Sequence, residues 1–218
     1  MKKLLLLITL FSIISSCKEK KATPTHSEKI TTLLAEKYGV DNFEKLDKVA
    51  FTFHVKKGGK EIARQWDWHP NTTQITAVIN QDTFSYFQNN MDSIDMQYDA
   101  KFVNDSYWLL FPFHLKWDDD SFSFKYGEGV APISGKKLKK LTITYKNEGG
   151  YTPGDRYDAY LNDSLYIVEW SYFKGGKPDR SLHVTWEKNI TEKNITVATF
   201  HQNKENTFNL WFDHVKFE

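Results

Sequence analysis

Cysteine is almost missing from this chain. Cys17 is the single one in 218 residues, so no disulfide can form within it. Charge of one sign is missing as well. Lys and Arg number 29 against 28 Asp and Glu, a formal +1 that falls to −1 if Lys2 and Lys3 leave with residues 1–16. Phosphate backbones are held by concentrated positive fields, so nucleic acid is excluded as an expected partner. Beyond residue 14 no apolar run approaches the length of a membrane span. Signatures of catalysis are lacking too: there is no G-x-S-x-G elbow and no H-E-x-x-H helix. Asp118, Asp119 and Asp120 lack the spaced oxygens of a calcium loop, and read as a solvated turn. His69, His114 and Asp118 are the best metal trio available, and no dense ligand cluster surrounds them. The expectation is a protein that is not an enzyme and uses neither cofactor nor metal.

What the chain does have is aromatic residues, 16% of the total, as befits sheets with large side chains on their faces. It also has a distinctive start. Lys2 and Lys3 precede an apolar run from Leu4 to Ile14, then Ser15, Ser16 and Cys17. This resembles a bacterial lipoprotein signal, whose final cysteine is lipidated and becomes the new N-terminus. Ile14 and the serines depart from the commonest form, in which Leu and a Gly or Ala precede the cysteine. The implied layout is a signal peptide over 1–16, a lipidated Cys17 with a flexible tether over 17–24, and one domain over 25–218. The expected location is the cell envelope, lipid-anchored at the outer membrane, with the chain a monomer. About 200 residues suit one domain with a sizeable core.

Periodicity sets the fold class. Thr25 and Glu28 form a capping-box pattern ahead of Ile30, Leu33, Leu34 and Tyr38, which predicts one helix closed by Gly39. Asp41 to Glu44 repeats the pattern before a single turn. From Val49 the period drops to two, and Lys57-Gly58-Gly59-Lys60 marks a hairpin. Four strands are expected before residue 88. A helical, aromatic insertion follows over Asp92 to Phe113, with Asp92 or Ser93 as its cap and Pro112 interrupting it. Seven more strands are expected between Phe122 and Phe217, about eleven in all. No helix alternation argues for a parallel sheet.

Phe51-Thr52-Phe53, Trp66-Asp67-Trp68-His69-Pro70, Asn104 to Asp118, Ala131-Pro132-Ile133 and Asn147 to Asp155 resemble an uncharacterised group of Bacteroidota lipoproteins. That group is related to the lipoprotein-carrier (LolA/LolB-like) superfamily, which this chain resembles in the order of its elements. The resemblance implies a mainly β, strongly curved antiparallel half-barrel whose concave side takes acyl chains. Strands that are apolar on both faces, such as Leu165 to Phe173, call for cover or a ligand on each side.

Candidate contacts follow. Tyr107 to Trp117 carries Trp108, Phe111 and Phe113, either as a gate over an apolar cavity or as a core plug. Trp66 and Trp68 share a strand face, either as a ligand platform or as cross-strand packing. Tyr151 lies in the turn-rich segment 148–155, either a rim loop or a demanding bend. The expected function is to bind or carry a hydrophobic ligand, a lipid or lipoprotein acyl chain. The alternatives are an interaction module with a filled core that docks another envelope protein, and, behind it, a hydrolase.

Overall fold

The computed structural model describes residues 28–147 and 153–218. Cys17, Thr25 and Tyr151 therefore lie outside the described residues. Helix α1 (Glu28–Tyr38) and the short α2 (Val40–Phe43) precede β1 (Val49–Lys57), β2 (Lys60–His69), β3 (Gln74–Ile79) and β4 (Asp82–Phe87). The long α3 (Ser93–Trp117) comes next, then β5 (Phe122–Val130), β6 (Lys137–Tyr145), β7 (Arg156–Leu161), β8 (Ile167–Phe173) and β9 (Ser181–Thr185). Finally come β10 (Glu187–Glu192), β11 (Ile195–Gln202) and β12 (Phe208–Phe217).

The fold is mainly β and antiparallel, as periodicity implied, but its strands divide between two sheets. The larger has seven strands in the order β10-β11-β12-β1-β2-β3-β4, the smaller five in the order β5 to β9. Pairing breaks at Trp186, which buries its indole between the sheets while its backbone N–H reaches the Val168 carbonyl at 2.9 Å. Among the described residues there is no closed barrel. The sheets meet at this corner, where Thr185 also accepts from His201 and, through its hydroxyl, from the Gln202 N–H.

Twelve strands are found among the described residues, one more than expected. The addition is β10, whose sequence EKNITE is largely exposed at the edge of the large sheet. An edge strand of that kind needs no apolar period, and its charges discourage pairing with another chain. Other local differences have equally plain causes. Leu165 sits at φ 61° in the turn before β8, so that strand begins at Ile167. Leu33 points away from the core at 48% exposure, while Ile30, Leu34 and Tyr38 pack inward. Helix α2 starts two residues earlier than the Asp41 box implies, with Gly39 at φ 93° as its N-cap and no side-chain bond.

Asp92 caps α3 as expected, accepting from the N–H groups of Ile94 and Asp95, with Asp95 bonding back to complete the box. Pro112 kinks the helix without ending it. Its ring lacks an N–H and crowds the carbonyl four residues back, and the distortion is taken up at Leu110 (φ −111°, ψ 17°). Beyond the kink Phe111, Phe113 and Leu115 still pack into the core.

Candidate binding cavity

The hairpin β1–β2 alternates, so Phe53, Val55, Ile62 and Arg64 turn toward α3. Together with Phe208 and Leu210 of β12, they wall one end of an open cavity of about 1130 Å³. Val103, Tyr107 and Trp108 of α3 contribute along its length. Tyr145, Tyr157, Trp170 and Tyr172 of the small sheet line the remainder. Tyr157 stacks between Trp170 (5.1 Å, 26°) and Tyr172 (5.4 Å, 22°), a ladder that strand pairing places, since Tyr157 faces Tyr172 across β7 and β8. Trp108 meets the ladder at 4.6 Å from Trp170.

Two polar constellations fix these walls. Asp105, wholly buried on α3, accepts two bonds of 2.6 Å from the Arg64 guanidinium. It also accepts from the Trp66 indole at 2.9 Å and the Asn104 amide at 3.0 Å. Burial pushes its carboxyl up, and those donors pull against the rise. The bidentate pair pins the helix to the large sheet.

The second constellation joins α3 to the small sheet. Tyr107 donates to the Tyr145 hydroxyl at 3.1 Å, Tyr145 donates to Asp118 at 2.7 Å, and Asp118 meets His114 Nδ1 at 2.9 Å. Burial raises both phenols far above their ordinary range, so they remain neutral donors. Burial alone would raise Asp118 too, but the hydrogen bond and charge of His114, with the Tyr145 hydroxyl, outweigh it and hold the carboxyl below its usual value.

Of the aromatics picked out in the sequence, the structure puts Trp108 on the cavity wall. Trp66 is buried against Phe102 and bonded to Asp105; Trp68 packs on Phe43 and Phe102. Phe111 lies between Trp170 and Trp186, and Phe113 against Phe43 and Trp117. These four belong to the core beneath α3. His69 is tied by Nδ1 to the Asp47 carbonyl, and no group of three or more His, Cys, Asp or Glu able to hold a metal occurs among the described residues. The sequence assigns no role to Asp105 or Tyr145, places Arg64 only on the strand face of Trp66 and Trp68, and gives Tyr107 only as the start of the aromatic segment. A signal was there: Asp105 falls three residues after Phe102, an acid on the apolar side of α3, and Arg64 shares its strand face with Trp66 and Trp68.

The geometry defines a mainly β, two-sheet protein with an open, aromatic-walled cavity, a fold compatible with a binding module. Compared with protein families and with curated proteins, the chain finds no match. Among solved structures it is similar to a DUF1329 family protein from Desulfovibrio piger, 13% identical, with 87% of this chain and 92% of that one covered and a TM-score of 0.46. No helix among the described residues is long and apolar enough to cross a membrane.

Proposed function

We propose that this protein binds or carries a hydrophobic ligand, a lipid or lipoprotein acyl chain, without catalysing a reaction, while tethered to the cell envelope through a lipidated Cys17. The observation that supports the reading is the cavity itself. An open cavity of about 1130 Å³ runs from an apolar end walled by Phe53, Val55, Ile62, Phe208 and Leu210 to the aromatic wall of the small sheet, the size and lining of a ligand site. Burying an acyl chain there gains roughly 25 cal/mol per Å² of apolar surface and needs no special chemistry. The signal-like start at residues 1–17 supports the tether, and the order of elements supports a carrier-like role.

The test is native mass spectrometry with solvent extraction, alongside displacement of a fluorescent apolar probe. The full chain should release copurified lipid and bind the probe. Val55→Trp with Ile62→Trp should fill the open end and weaken the probe about tenfold or more. Unchanged binding in that variant would sink the reading.

A further inference from the structure

The cavity is greasy at one end, and lysines line the other. Lys146, Lys174 and Lys177 all line it. Lys146 follows β6 and Lys174 follows β8, and Asp155 draws the two segments together: its carbonyl accepts from the Tyr145 N–H at 2.9 Å and its side chain from the Gly175 N–H at 2.6 Å. The apolar end lies along α3 beside Asn104, the lysine-lined end beside Asp118. Thirteen residues of helix lie between them, about 20 Å at 1.5 Å per residue.

The carboxylates in the cavity wall are hydrogen-bonded, and apart from His114 their donors are neutral and leave the negative charges in place. Asp118 is held by His114 and Tyr145, and Asp155 by the Tyr172 hydroxyl at 3.0 Å and the Gly175 N–H. The fourth cation of the wall, Arg64, is committed to Asp105. Lys146 donates to the Asp120 carbonyl and makes no ion pair among the described residues. Lys174 and Lys177 make no ion pair among the described residues. Asp119, Asp120 and Asp179 on the adjoining turns make none either, so they lower the local field without capping any of these ammonium groups.

We infer that the cavity selects an amphiphile with an anionic head, carboxylate or phosphate, seated at Lys146, Lys174 and Lys177, with its tail running toward Phe53, Ile62 and Leu210. This rests on the cavity reading above and adds the chemistry of the head. Charge-assisted bonds from ammonium to an anionic oxygen are about twice as strong as neutral ones, which gives the head its selectivity. Salt must weaken it, because the lysines are exposed.

The experiment is competition against the same apolar probe on the full chain, using palmitate, methyl palmitate, a long-chain trimethylammonium and inorganic phosphate. Palmitate should compete about tenfold better than its methyl ester at low salt. That advantage should shrink at high salt, vanish in Lys174→Gln with Lys177→Gln, and survive in Lys174→Arg with Lys177→Arg. Methyl palmitate competing as well as palmitate would overturn the anionic head and leave the apolar cavity standing. So would equal competition by the cationic amphiphile. Displacement by inorganic phosphate alone would make this an anion site and overturn the amphiphile. If no amphiphile competes, both readings fall.

Discussion

His201 is a histidine the protein must keep neutral. It is fully buried, with Nδ1 donating to the Thr185 carbonyl at 3.1 Å and its ring 4.2 Å from that of Trp186. Its Nε2 has no hydrogen-bond partner among the described residues. Burial lowers its pKa from 6.5 to about 3, and the bond to Thr185 opposes that fall only in part. The folded state therefore refuses a proton that the unfolded chain accepts. Stability from this residue is present above pH 6.5 and is lost as the pH falls toward 3, at about 1.4 kcal/mol per pH unit. Thermal melts between pH 7 and pH 4 should show a steep decline, and His201→Leu should flatten it. A variant that declines as steeply as the native chain would refute the assignment.

At the scale of elements, the turn between α1 and α2 carries more constraint than its length suggests. Gly39 sits at φ 93°, and a Cβ built there would lie 2.0 Å from the Asn194 carbonyl oxygen. Gly39→Ala must both strain the backbone and push apart α2 and the β10–β11 turn. It should cost about 2 kcal/mol or more, read as a lower denaturation midpoint at unchanged slope. The sequence did show a stop at Gly39, though not the close approach behind it. The same limit governs the rest of the reading. Alternation made β1, β2 and β12 legible, because a half-buried strand imposes a period of two on its side chains. It told which face Trp66 and Trp68 share. It could not tell that α3 would lie on that face and turn both tryptophans into core, because covering is a tertiary event. The strand β10 was invisible for the reverse reason, having no buried face to impose a period. Asp92 and Pro112 acted through local chemistry alone, and both their cap and their kink appear where the sequence put them.

For the molecule as a whole, the two sheets and α3 divide the labour. The large sheet supplies the apolar end of the cavity and the small sheet its aromatic, lysine-lined end, while Asp105 and the Tyr107–Tyr145–Asp118 chain tie the helix to one and to the other. Order in space differs from order in the chain, however. The final strand, β12, is not an edge: it lies between β1 and β11, and Val49 pairs with Phe217. Without β12, β1 and its hairpin lack their neighbour on one side, and β11 lacks its own on the other. A chain stopped after Asn206 should accordingly give no cooperative unfolding transition by circular dichroism, and a sharp one would contradict this. Closing the large sheet must wait for β12, a slow, long-range pairing that leaves the facing edges of β1 and β11 open until it arrives.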